Sequence, residues 1–312
     1  MNPSLICGSL AFDTIMSFGG RFSEALLADQ LHKINVAFLV PGLRREFGGT
    51  AGNIAYNLKL LNGEPLIMAT LGQDGSPYLD RLEAQGITRR CIRTIEDAYT
   101  AQAFITTDAD SNQITAFHPG AMTMSHRNRV TDAGKVGIAI VAPDGRDGMV
   151  QHAQDCAEAG IPFIFDPGQG LPMFNGDELK RFISLATYVA VNDYEGELLT
   201  ERTGWSLEEI AKHVSALVVT RGEQGAHIFV KGEQIDIPCV AAERIVDPTG
   251  CGDAFRAGML YGLSKELDWV TTGRLASLMG AIKIAHQGGQ NHTTTLAEIE
   301  DRFQQAFGYR FS

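Results

Sequence analysis

Short apolar runs recur along the chain at residues 5–7, 65–70, 136–141, 161–165, 188–191 and 217–220. They are too short for helices, almost continuous in apolar side chains and bounded by turn residues, which predicts strands buried on both faces. Between most of them the apolar positions switch to helical spacing, as over 78–85, 149–159 and 195–203. Buried strands alternating with helices predict an α/β fold, a mostly parallel sheet with helices on both faces. Two regions break this rhythm. Residues 15–47 and 99–118 alternate polar with apolar, and the second reads as a hairpin, 101–107 and 113–118, around the polar turn 108–112. Together they predict a small antiparallel sheet beside the main domain, either a lid that excludes water from a site or two plain edge hairpins. The last third is helical, most clearly at 271–286 and 296–307. No repeat or flexible linker divides the 312 residues, so a single domain over 1–312 is expected, with lid strands drawn from about 14–47 and 98–120.

Charge narrows the partners. A formal net charge of −11 argues against nucleic-acid and anionic-membrane surfaces. Any phosphate ligand must then be held by local amides, a few Arg or Lys side chains and a metal ion. The five cysteines are scattered, with no CxxC pair and no zinc spacing, which fits a reducing compartment. Residues 1–12 lack the basic region of a signal peptide, and the apolar segment 275–285 is short and carries Lys283, as a buried helix would. These features lead us to expect a cytoplasmic protein that binds a small molecule.

The richest chemistry lies at residues 246–255, after a β-rich stretch and before a helical pattern over 254–263. Gly250, Cys251 and Gly252 allow a tight turn whose amides converge at a helix N-terminus, a place suited to a phosphate. Asp253 puts a carboxylate in the same spot, where it could accept a proton from a hydroxyl about to attack that phosphate. An ordinary glycine turn with a dipole-matched Asp is the plainer reading. A second cluster, Gly48, Gly49 and Asn53, precedes a helical pattern over 54–61. Its glycines let backbone approach a ligand, and Asn53 could hydrogen-bond sugar-type hydroxyls or simply cap the helix. Asp13 follows the first strand, where ligands gather in open α/β sheets. Asn192 and Glu195 have the spacing of a capping box, and the same geometry suits water-mediated contact with Mg²⁺. Thr220, Gly222 and Gly225 mark a tight connection between two strands, either a nucleotide loop or a β-turn. The chain has no GxxxxGK[ST], GxSxG, HExxH or EF-hand sequence, so hydrolase and zinc-enzyme readings have no support.

Taken in order, the early glycine pair with Asn53, the NxxE of Asn192 and Glu195, and the DxxGxGD of Asp247 to Asp253 resemble the ribokinase-like (PfkB) family of small-molecule kinases. The resemblance runs over essentially the whole chain. It implies a three-layer α/β/α domain with a small β-sheet lid, and transfer of the ATP γ-phosphoryl group to a hydroxymethyl of a nucleoside or sugar. On the matching positions it implies Asp253 as catalytic base, with the amides of Gly250, Cys251 and Gly252 as anion hole. Asp13, Gly48, Gly49 and Asn53 would grip the substrate hydroxyls. Glu195, with Asn192, would hold Mg²⁺ through water, and Thr220, Gly222 and Gly225 would form the nucleotide loop. The late turn 287–291, with Asn291, would border adenine. Asp247 would border a monovalent cation, which makes K⁺ a further candidate beside ATP and Mg²⁺. The family usually has alanine where Cys251 stands, and a thiol at a helix N-terminus is expected to ionise more readily.

Residues 48–57, 117–121 and 253–258 resemble the nucleoside-kinase branch that includes bacterial adenosine kinases. Adenosine, phosphorylated on its 5′-hydroxyl as in purine salvage, is therefore the expected substrate. Phe38, Phe104 and Phe117 are candidates for an aromatic wall, or for lid core. The alternatives are a kinase for ribose, fructose or a sugar phosphate, the last using Lys33, Arg44 and Arg45, a non-catalytic nucleoside sensor, and a dinucleotide oxidoreductase. A monomer and a homodimer formed through the lid are both compatible with the sequence.

Overall fold

The computed structural model describes residues 2–25 and 35–311. Its strands are β1 (Ser4–Cys7), β2 (Ala11–Ser17), β3 (Gly42–Gly48), β4 (Pro65–Gly72), β5 (Ile92–Ile95), β6 (Ala101–Thr107), β7 (Gln113–His118), β8 (Ile138–Val141), β9 (Phe163–Phe165), β10 (Tyr188–Asn192), β11 (Ala216–Thr220), β12 (Ala226–Val230) and β13 (Glu233–Ile237). Its α-helices are α1 (Phe22–Ala25), α2 (Thr50–Leu60), α3 (Ser76–Ala84), α4 (Arg146–Glu158), α5 (Gly176–Leu185), α6 (Asp193–Thr203), α7 (Leu207–His213), α8 (Cys251–Ser264), α9 (Trp269–Ile284) and α10 (Leu296–Phe307).

Nine strands form the central sheet in the order β13-β12-β11-β10-β9-β8-β1-β4-β5. All neighbours from β11 to β5 run parallel, and β12 and β13 add an antiparallel edge. Side-chain alternation explains the three layers. On β8, Ile138 and Ile140 join one core with α2, α3, α8, α9 and α10, while Ala139 and Val141 join the other with α4 to α7. A strand buried on both sides reads as a continuous apolar run, which is how the sequence showed it.

The second sheet, the expected lid, has the order β3-β2-β6-β7 and is mixed rather than antiparallel, because its central strands β2 and β6 run parallel. Its register decides which residues share a face. Asp13 pairs with Glu46 on β3 and with Ala103 on β6, and Ala103 pairs with Phe117 on β7. Glu46, Asp13, Ala103 and Phe117 therefore form one row on the inner face. Phe104 lies one residue out of step, beside Thr14 and Ala116, and faces outward. Phe38 lies on no strand and packs against Phe18 and Phe22. Of the three aromatic candidates, only Phe117 shares Asp13's face.

Among the described residues, no helix is long and apolar enough to cross a membrane.

Candidate active site

The chain approaches the site from the carboxyl ends of β1, β8, β9, β10 and β11, where open α/β sheets place ligands. α8 begins there. Its cap, Gly250, has φ +79°, and a methyl at that position would stand 3.1 Å from Gly289 Cα, so a side chain here would meet backbone strain and a tight contact together. Cys251 N–H donates back to Pro248 O at 3.1 Å, tightening the turn. Of the three expected anion-hole amides, Cys251's is thus engaged within the loop. No such backbone bond engages the N–H of Gly250 or Gly252. Gly252 is exposed to the cleft.

Asp253 sits in the first turn of α8, partly open to the cleft. Asn53 Nδ2 donates to its Oδ2 at 2.8 Å. Asn53 does not cap α2, which starts at Thr50 with Gly49 as its cap. Gly49 has φ +85°, and a methyl there would meet Ser9 O at 2.5 Å, so the chain can pass from lid to α2 here only as glycine. Asn53 is held from behind. Its Oδ1 accepts from Gln290 Nε2 at 3.1 Å, the same amide donates to Tyr78 Oη at 2.8 Å, and Tyr78 donates to Gly48 O at 2.7 Å. Arg81 Nη2 donates to Gln290 O at 2.6 Å. This chain of bonds ties α2, α3, the late turn and the end of β3 to one carboxylate.

Electrostatics hold the Asp253 carboxyl well above its ordinary range. Loss of surrounding water pushes its carboxyl up to about 7. The Asn53 bond and the Arg256 guanidinium pull down, while Asp166 and Asp13 push up. Arg256, one turn along α8, is buried and makes a two-pronged pair with Asp166 at 3.2 Å, leaving its Nη1 without a partner. On the lid, burial together with Glu46 and Asp247 raises Asp13 to about 6.

Asn192 and Glu195 form the full capping box of α6: Oδ1 of Asn192 accepts from Glu195 N at 2.7 Å, and Oε2 of Glu195 accepts from Asn192 N at 2.8 Å. Burial, and then the negative charge of Asp166, raises the Glu195 carboxyl. The Glu195 carboxylate is a hard-oxygen donor of the kind a hydrated Mg²⁺ takes, while both oxygens of the neighbouring Asp166 already accept from Arg256. Thr220 pairs with Asn192 in register, so the loop after β11 lies beside this box. Gly222 and Gly225 shape the turn into β12, and Arg221 is tied to His227 and Gln224.

Asn291 joins the late turn to the lid. Its Nδ2 donates to Glu46 Oε2 on the lid at 2.7 Å and to Gln287 O at 3.1 Å. The Asp247 carboxylate is already used by Thr249 N and Gly288 N, and its carbonyl accepts from Lys283 Nζ. An ammonium charge therefore already faces the Asp247 carbonyl.

Cys251 departs from expectation. Its thiol is pushed up to about 11, because loss of water outweighs the positive charge of Lys283, and Asp247 and Asp253 add to the rise. The helix dipole alone was the wrong guide. Arg44 pairs with Glu46, and Arg45 pairs with Asp74 on the outer side and stacks on Phe12. Lys33 lies outside the described residues.

Sequence reasoning missed Arg256 with Asp166, and Tyr78 with Gln290. Their partners are 90 and 212 positions apart, and no local spacing marks them. The apolar setting of Tyr78 and the GQ pair at 289–290 were the only signals.

The description "pfkB family carbohydrate kinase" matches residues 20–296. The solved nucleoside kinase of Burkholderia thailandensis in complex with inosine superposes with a TM-score of 0.90 at 60% identity, covering 98% of this chain and 99% of that one. The same relative has been solved in complex with ADP-inosine. A nucleoside kinase of Methanocaldococcus jannaschii is 28% identical over 273 residues, 86% of this chain and 89% of its own length.

Proposed function

Since the chain belongs to the pfkB carbohydrate kinase family and is a phosphotransferase with an alcohol acceptor, we propose that its acceptor is the 5′-hydroxyl of a purine nucleoside and its donor is ATP. The observation that carries this reading is the Asp253 carboxylate. It is raised to about 7, fixed by Asn53, and opens toward a lid row that ends in a half-exposed phenylalanine.

In this mechanism Asp13 accepts from the ribose hydroxyls and Asn53 orients both ribose and base. Phe117, 53% exposed on the inner face, offers a flat surface for the purine. Asp253 takes the 5′-hydroxyl proton as the oxygen attacks the γ-phosphorus in line. The amides of Gly250 and Gly252 face the charge that develops on the transferring group. Arg256 acts through Asp253 and Asp166. It keeps a cluster of carboxylates from repelling one another and holds the base charged. Glu195 is the donor that would hold Mg²⁺ through water, and Mg²⁺ when bound screens the phosphates of ATP. Thr220 and the turn at Gly222 and Gly225 border the nucleotide. Asn291 is better read as a latch between the late turn and lid residue Glu46. The sheet and lid act as one domain around this cleft.

The inosine complexes of the 60% identical relative widen the expectation from adenosine alone to purine nucleosides. A phosphorylated sugar is disfavoured, since Arg44 and Arg45 are both paired. ADP release measured with adenosine, inosine, cytidine, ribose, fructose and fructose 6-phosphate tests this. Turnover of the purine nucleosides well above the sugars is expected. A preference for any sugar overturns the reading.

A further inference from the structure

Lys283 lies in the last turn of α9 and is 0% exposed. A buried ammonium is costly unless carbonyls or carboxylates replace its water. Here Nζ donates to Asp247 O at 2.7 Å and to His286 O at 3.0 Å. These two carbonyls belong to different segments, the loop that enters α8 and the turn that follows α9. The same two segments are joined by three more bonds: Val246 N and Asp247 N to Ile284 O, and Gly288 N to Asp247 Oδ2. The ammonium therefore sits between carbonyl oxygens directly behind the anion-hole loop, where the C-terminal end of α9 also favours positive charge. Carbonyl oxygens converging on one buried monovalent charge are the usual setting of an alkali-metal ion. Here the charge is covalently part of the chain.

We propose that Lys283 is a built-in monovalent cation: its ammonium fixes the loop carrying Gly250 to Gly252 and supplies the positive charge behind it, so the enzyme needs no K⁺. The proposal rests on the phosphoryl-transfer reading for its catalytic consequence, but the site itself is defined by geometry alone. The closeness of Gly250 to Gly289 shows what the charge protects. If the loop and the late turn parted, the cap of α8 would lose its support and the amides their aim. Lys283 touches no reacting atom and is a positioning residue.

The test uses the full chain in buffers whose only monovalent cation is K⁺, Na⁺ or choline. It follows both ADP release with inosine and the thermal unfolding midpoint. The wild type is expected to show the same rate, within about twofold, and the same midpoint in all three. Lys283→Met should lose roughly 10- to 100-fold in kcat, less than or comparable to losing a direct oxyanion donor, with nucleoside KM little changed. Lys283→Ala, which opens space, should lose a similar amount and regain rate and midpoint with K⁺ or methylammonium but not with choline. A purely structural lysine gives no such cation-selective recovery. K⁺ dependence of the wild type beyond about tenfold overturns the proposal, as does full kcat in Lys283→Met. The wild-type measurement decides the matter even if the variants do not fold. If no nucleoside yields ADP in any buffer, the kinase reading falls, and the cation response of the unfolding midpoints still decides the role of Lys283.

Discussion

On the floor of the cleft, Asn53, Tyr78 and Gln290 are buried and joined by hydrogen bonds of 2.8 to 3.1 Å that end on Asp253. On the lid, every residue of β7 is exposed, and Phe117 stands half in solvent with no partner strand beyond it. The floor sits at the junction of α2, α3, α8 and the late turn, so its side chains can be fixed before substrate arrives. The lid is a four-stranded sheet whose outer strands β3 and β7 are each paired on one side only among the described residues, and its inner row can adjust to the ligand it covers. Chemistry placed on the rigid part and recognition on the adaptable part is the division expected where one reaction must serve several related acceptors.

If that division is right, floor variants should damage turnover and lid variants should damage binding. Asp253→Asn should lower kcat by roughly 10²- to 10⁴-fold while calorimetry finds nucleoside binding retained. A near-normal rate removes Asp253 from its role. Arg256→Met leaves the buried Asp166 carboxylate unpaired and should cost about 3–5 kcal/mol of stability in a denaturant titration. Adding Asp166→Asn should restore part of this, and no destabilisation would mean that the buried pair does not matter. Phe117→Ala should raise nucleoside KM by about 5- to 100-fold, the range of one lost base–aromatic stack, with kcat nearly unchanged. A fall in kcat at constant KM would blur the two regions. Cys251→Ala should keep activity within about twofold, since no proposed step uses the thiol. Iodoacetamide should modify Cys251 slowly at neutral pH, as a thiol pushed up to about 11 requires.

The two regions also differed in how well the sequence foretold them. The lid hairpin was predicted at 101–107 and 113–118 and is found there, because two-residue alternation and a polar turn are local signals. The capping pair Asn192 and Glu195 likewise marked the helix beginning at Asp193, and helical spacing marked the one beginning at Leu296. The start of α2 was placed too late, since Gly49's positive φ, not Asn53, begins it. On the floor, sequence order located Asp253 and Asn53 but not what joins them. A bond between residues 200 positions apart leaves no periodic trace. The ionisation of Cys251 was misjudged for the same reason: a helix N-terminus is visible in sequence, whereas burial is a tertiary property. Lys283 was read correctly as part of a buried helix, yet only the fold shows which carbonyls meet its charge.

The most direct test of a base poised on a preorganised floor is the pH dependence of kcat/KM for the preferred nucleoside. A carboxylate raised to about 7 is active only when deprotonated, so the rate should climb as pH rises through that value and level off above it. The limb near 7 should disappear from the residual rate of Asp253→Asn, leaving only that of Asp13 near 6. A wild-type profile that is flat between about pH 5.5 and 8.5, or a limb unchanged in the variant, would contradict the account.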